Sequence, residues 1–216
     1  MSTKKENKKS LRTQIMSGYL KIIALSCVLG IITIILLCVL SGYYNSIAKM
    51  DEERVYIAEG ITQHYVWRSD FVSSLQTGST FSGSLDPKTC SFGKGLASKN
   101  QEDTFPEVQS IINNITTAHD NMHNLAKDLI AMQATTNKDV LVDKFYQDIS
   151  PLTTEVIGAL EKIDDIYAQK DEEAKQLFET LLAVTIAIII LVMIMLVVSS
   201  TIYANRLAHQ VSYPIT

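Results

Sequence analysis

Histidine and cysteine are both scarce in this 216-residue chain, which has four of the first and three of the second. Two of the cysteines, Cys27 and Cys38, fall inside an apolar run where they read as packing residues, so Cys90 stands alone in the rest of the chain. A single thiol has no intramolecular disulfide partner, which excludes a disulfide-stapled fold. Cys90 is then a liability, an intermolecular bridge or a ligand. Also missing are a Ser-His-Asp signature, a P-loop, a glycine fingerprint followed by a helix, and the His-Glu-x-x-His pair of metalloproteases. These absences argue against an enzyme. No internal repeat is evident, and no strand pattern competes with the helical periodicities described below.

Charge is absent from two long stretches. Residues 22–40 read IIALSCVLGIITIILLCVL and residues 181–198 read LLAVTIAIIILVMIMLVV. Each can cross a hydrocarbon core of about 30 Å as a helix rising ~1.5 Å per residue. The first run exceeds the apolar stretch of a signal peptide and no A-x-A-like site follows in SGYYNSI, so it reads as an uncleaved anchor. Lys4, Lys5, Lys8, Lys9, Arg12 and Lys21 crowd its leading flank, which predicts that this end stays in the cytoplasm. The expected organisation is a cytoplasmic basic N-terminus (1–21), a first transmembrane helix (22–40), an extracytoplasmic domain (41–180), a second transmembrane helix (181–203) and a juxtamembrane stretch (204–216). This describes a multi-pass protein of a cell membrane, with the lipid bilayer as a partner. Residues 41–180 hold 22 Asp and Glu against 12 Lys and Arg, a net of −10, which argues against nucleic acid as another.

Within that outer domain the periodicity is helical throughout. Residues 41–77 lack proline and carry an apolar stripe at Ile47, Met50, Ile57, Ile61, Phe71 and Leu75, at three-four spacing. The polar, glycine-rich stretch 77–103 is too long for a simple turn and needs something to hold it. Thr104-Phe105-Pro106-Glu107 has capping-box spacing, so a second long helix is expected there, with Val108, Ile112, Ile115, His119, Met122, Ala126 and Leu129 on its inner stripe. A short third helix over 138–149 and a fourth restarting at Pro151, with Leu152, Val156, Leu160, Ile163 and Ile166, complete the expectation. The predicted fold is all-α, an antiparallel four-helix bundle whose first and last helices continue into the membrane spans.

His119 and His123 stand four apart, on one helical face about a turn from each other, which suits two corners of a tetrahedral metal site. His64 falls on the stripe of the first helix, where a polar ring must find a partner or suffer desolvation. Three imidazoles and one thiolate form a closed set for Zn²⁺, and a bond to Cys90 would hold the long loop down. Asp120 is a candidate acceptor behind the pair. His209, near the end of the chain, is not expected to be a ligand. With water in the fourth position the three histidines could instead serve a zinc-dependent membrane hydrolase, but Cys90 would then have no role.

QHYVWRSDFVSSLQTG, LDPKTCSFGKGL and FPEVQSIINNITTAHDNMHNLA, in that order and at these distances, resemble the chemoreceptor zinc-binding domain over roughly residues 60–130. The resemblance implies a helical bundle with zinc held by His64, Cys90, His119 and His123. Two departures stand out. Gly95 occupies the place of a usual tryptophan in CSFGKGL, predicting looser packing around the cysteine loop, and the family mostly resides in the cytoplasm rather than between two spans. RLAHQVSYPIT, residues 206–216, resembles the opening of a HAMP linker. Together these imply the input module of a methyl-accepting chemotaxis protein in a bacterial inner membrane. Its sensor would lie on the periplasmic or extracellular side, its stimulus would be zinc or an oxidant such as hypochlorous acid, and its partners would be a second copy in a homodimer and a cytoplasmic output domain. The sensor half of a histidine kinase or diguanylate cyclase has the same topology.

Overall fold

In the computed structural model, which describes residues 11–98 and 105–212, every regular element is helical. They are α1 (Leu11–Thr77), α2 (Ser91–Ser98), α3 (Pro106–Met132), α4 (Lys138–Lys144), a π-helical segment (Phe145–Ile149) and α5 (Ser150–Ser212). The chain divides into two compact units, residues 1–46 with 174–216 and residues 47–173, so α1 and α5 each contribute to both.

In the first unit the apolar runs of α1 and α5 lie within two helices long and apolar enough to cross a membrane. None of the most apolar 18-residue window of α1 is buried and only 6% of that of α5 is, so most of these side chains are exposed, with a stripe through Ile22, Leu29, Thr33, Leu36 and Leu40 at least partly covered on α1. Such a helix is soluble only in lipid or under a cover of other protein. Cys27 and Cys38, expected to pack, are exposed on α1.

The second unit holds the core. Phe71, Leu75, Met122, Leu141, Phe145, Ile149, Val156 and Leu160 are all sealed from solvent. Phe71, Leu75, Met122, Val156 and Leu160 lie on the stripes read from the sequence, Leu141, Phe145 and Ile149 on a rod for which no stripe is read there, and the connections differ. Arg54 pairs with Asp164 at 3.0 Å and Arg68 donates to the Ser150 hydroxyl at 2.7 Å, so α5 descends as α1 ascends. His64 meets His119, whereas further along Gln133 donates to Ser74 O at 3.0 Å, so α3 runs parallel to α1. The expected antiparallel order of consecutive long helices is therefore replaced by a parallel α1–α3 pair. Parallel neighbours need a long return, and the polar stretch after Thr77 supplies it. It runs back down α1, with Ser84 beside Trp67 and Ser91 beside Tyr56, and winds into α2 on the way.

A second difference concerns Pro151. The sequence suggested a break there, giving separate third and fourth helices; instead α4, the π segment and α5 follow without interruption. Proline lacks an N–H and crowds the preceding turn, a conflict a wider turn relieves. The Ser150 N–H indeed reaches Phe145 O, five residues back. Three long helical rods and the short α2 thus form the unit, in place of the four-helix bundle. The capping box also shifts: Phe105 is the N-cap of α3, with Pro106 opening the helix, and Thr104 lies outside the described residues, as do Lys4, Lys5, Lys8, Lys9 and residues 213–216 of the stretch expected to open a HAMP linker.

Candidate metal centre

Midway along the second unit, α1 presents His64, α3 presents His119 and His123, and the returning segment presents Cys90. One ligand atom from each of the four lies within 4.8 Å of all the others, a cluster that could hold a metal ion. Local structure explains each placement. Pro87 fixes the second position of a turn closed by the Thr89 N–H on Asp86 O at 3.1 Å, and the Asp86 carboxylate accepts the Lys88 N–H at 2.9 Å. Cys90 follows at the N-cap of α2, where its Sγ accepts the Gly93 N–H at 3.2 Å. Any side chain at Gly93 would collide with the Pro87 carbonyl, so only glycine lets the turn and the helix pack this closely.

The histidines are oriented from behind. His64 Nδ1 lies 2.6 Å from Gly60 O and His123 Nδ1 lies 3.2 Å from Ser84 O. A carbonyl can only accept, so both Nδ1 atoms carry the proton and both Nε2 atoms turn a lone pair toward the cluster. Those two Nε2 atoms are buried and have no hydrogen-bond partner. Leaving such atoms unmatched in a dry site is costly, and a cation is the partner that satisfies several at once. His119 Nε2 is 3.2 Å from Cys90 Sγ, so the thiol belongs to the same donor set. Asp120 is half exposed, with its carboxylate 3.7 Å from His119 Nδ1, too far for a hydrogen bond but close enough to favour a proton there.

Burial decides the electrostatics. It pushes His64 below its ordinary value, while burial and the neighbouring imidazoles take His119 down to about 3 and His123 to about 4. Burial also pushes the Cys90 thiol up, against the N–H groups of Gly93 and Phe92, which favour the thiolate. The histidines are thus already deprotonated for ligation at neutral pH and the thiol is not. In the metal-free protein, unfolded imidazoles take up protons near pH 6.5 while the folded ones refuse them until about pH 4 and about pH 3. Stability from the neutral rings is complete above pH 6.5 and is lost on acidification from there toward pH 3. Melting temperatures of the metal-free chain should therefore fall steadily from pH 7 to pH 4, and a flat profile would contradict this burial.

Other residues shape the centre without having stood out in the sequence. Phe92 walls it, 5.1 Å from the His119 ring, and Trp67 packs 5.3 Å from His123 while donating to Ser84 O at 2.8 Å. One backbone carbonyl, that of Ser84, accordingly ties α1, α3 and the returning segment together. Tyr56 lies against Gly95, whose missing side chain leaves room for the ring, and its hydroxyl donates to Ser91 O at 2.6 Å. The looseness expected from Gly95 is thereby filled from α1. Tyr56→Phe should cost about 1 kcal/mol, the net worth of one hydrogen bond, and Gly95→Trp more, since no space remains. Urea midpoints of the two variants check the order; equal stability in Gly95→Trp would show that the Tyr56 ring is not fixed there.

A cavity of about 520 Å³ adjoins the cluster, reaching His64, Cys90 and His123 past Trp67, Phe81 and Lys94, and gives small solutes a route to it. His209 lies in the last turn of α5, outside the cluster. No protein-family model matches this chain, and no curated protein or solved structure is similar enough to it to match.

Proposed function

We propose that this chain is the sensory and membrane portion of a bacterial transmembrane receptor of the methyl-accepting chemotaxis type, with an extracytoplasmic domain that binds zinc through His64, Cys90, His119 and His123. The observation that carries the reading is the closed donor set of three imidazoles and one thiol. Three nitrogens and one sulfur suit Zn²⁺, which tolerates this mixture at four-coordinate sites, whereas harder cations prefer oxygen. A bound zinc ion would supply charge that favours the Cys90 thiolate. Membrane anchoring is supported by the two apolar helices, and the cytoplasmic assignment of both ends by the basic leading flank.

Sensing would act through the side chains that hold Cys90. An oxidant such as hypochlorous acid transfers its oxygen to the thiolate, the sulfur losing two electrons and chloride leaving, which gives a sulfenic acid and weakens the sulfur as a ligand. The returning segment then loses its tie through Cys90 and keeps those through Ser84, Ser91, Phe81 and Phe92. His64 sits on α1, the helix that also carries the first apolar run, so repacking at the cluster has a continuous helix along which to act. Helix shifts of about 1–2 Å are typical of such switches. The same residues serve if zinc arrival or loss is the stimulus. A hydrolase reading is disfavoured because Cys90, as a fourth ligand, would take up the position that a reactive water would need.

Metal analysis of the full chain, purified in detergent, tests the assignment. About one zinc per chain is expected, and Cys90→Ala should weaken binding by more than the roughly 10–100-fold that loss of an outer partner costs. Zinc retained at wild-type affinity by Cys90→Ala would remove the thiol from the site and reopen the hydrolase reading.

A further inference from the structure

In the first unit, a second cavity of about 390 Å³ opens between α1 and α5, lined by Ser17, Lys21, Ser199, Tyr203 and Arg206 among others. The helices are tightly fitted here. Tyr203 crosses from α5 to donate to Ile15 O at 2.9 Å, its ring meets Tyr19 edge-on at 6.2 Å, and any side chain at Gly18 would run into it. That close fit brings Lys21 and Arg206 to the same cavity from opposite helices.

Two features of the sequence make this pair unusual. Neither residues 11–50 nor residues 180–212 contain an aspartate or glutamate, so no carboxylate on either helix segment can balance the two cations. Lys21 also stands immediately before the uncharged run that begins at residue 22, and Arg206 is the first charged residue after the second run. The cavity therefore sits where apolar surface ends on both helices, at the depth of lipid phosphates in a spanning protein.

We propose that this cavity binds the phosphodiester of an anionic glycerophospholipid, with Lys21 and Arg206 neutralising it and the Ser17 and Ser199 hydroxyls available as donors. The tyrosine-packed wall beside them receives the glycerol and upper acyl carbons. A free phosphate ion offers the same charge but no chain to lie along the apolar helices. The proposal rests on the membrane-spanning reading, on no property of the metal centre, and on the two helices alone.

Native mass spectrometry of the full chain extracted from vesicles of phosphatidylglycerol and phosphatidylcholine in equal parts tests it. Retention of phosphatidylglycerol over phosphatidylcholine is expected. It should fall roughly 5-fold in Lys21→Gln or Arg206→Gln and about 30-fold in the double variant, at ~1 kcal/mol per basic residue. Arg12→Gln, which removes a nearby charge outside the cavity, should change it little. Equal retention by the double variant, or an equal loss in Arg12→Gln, overturns the site. Displacement of the lipid by tens of millimolar inorganic phosphate would assign the cavity to free anions and overturn the lipid proposal. A chain that stays soluble without detergent would overturn the spanning reading as well, whereas an inserted chain with no lipid preference overturns this proposal alone.

Discussion

Stripping zinc from the detergent-solubilised chain is expected to lower the melting temperature of the 47–173 unit by roughly 10–20 °C. The metal would join three segments distant in sequence, and without it the Nε2 atoms of His64 and His123 are buried and unmatched. An ion that binds only the folded state stabilises it by about 4 kcal/mol when present at a thousand times its dissociation constant. For a unit of this size each kcal/mol is worth about 3–5 °C. Trp67 is the only tryptophan in the chain and packs beside His123, so its emission reports this unit without interference from the apolar helices. Identical melts with and without a chelator would mean that the cluster does not couple metal to folding.

Phe71→Ala is expected to cost about 3–5 kcal/mol, the range for removing a fully buried ring. Phe71 is completely buried and touches aromatic rings on three sides: Trp67 stacked at 5.1 Å, Phe81 edge-on at 5.0 Å and Phe145 at 5.8 Å. It therefore joins α1 to the π segment and to the start of the returning chain. Loss of the ring should also loosen Phe81 and, through it, the Ser84 carbonyl that orients His123. Zinc affinity is expected to fall with stability, in contrast to Gly158→Ala, which meets open space on α5 and should leave affinity unchanged while raising stability by about 0.5–1 kcal/mol. Urea unfolding and zinc titration of the two variants check this, and a cost under 1 kcal/mol for Phe71→Ala would place the ring outside the cooperative core.

Much of this site was legible because its residues break local patterns. A histidine on an apolar stripe, a pair at helical spacing and a solitary cysteine are each anomalies, and the structure collects all four. The helical stripes were legible for the same reason, since Met50, Ile57, Phe71, Leu75, Val108, Ile115, Met122 and Leu160 repeat at helical spacing and are buried. Direction was not. Periodicity says which face is inside but not which way a neighbour runs, so the parallel pairing of α1 and α3 could be inferred only from the length of the segment after Thr77, and that length was explained instead by a metal bond. Ser84 was invisible because it acts through its carbonyl, which every residue has. Tyr56 was missed because the signal lay in Gly95, an absence that pointed to space without saying what filled it. The N-cap role of Cys90 was missed because sulfur is an uncommon capping atom.

The π segment carries its own consequence. Leu141, Phe145, Ile149 and Thr153 are all fully buried although each is four residues from the next. A step of four overshoots the α-helical turn by about 40°, and three such steps would carry Thr153 about 120° around the rod and away from the core. The wider π turn absorbs that drift and returns the stripe to three-four spacing at Val156, Leu160 and Ile163. Length within 145–149 is therefore counted in single residues. An insertion or deletion of one there, harmless to composition and hydropathy alike, would send every later buried residue of α5 to a different side of the rod. Homologues of this chain, when aligned, should keep their length constant across residues 145–149.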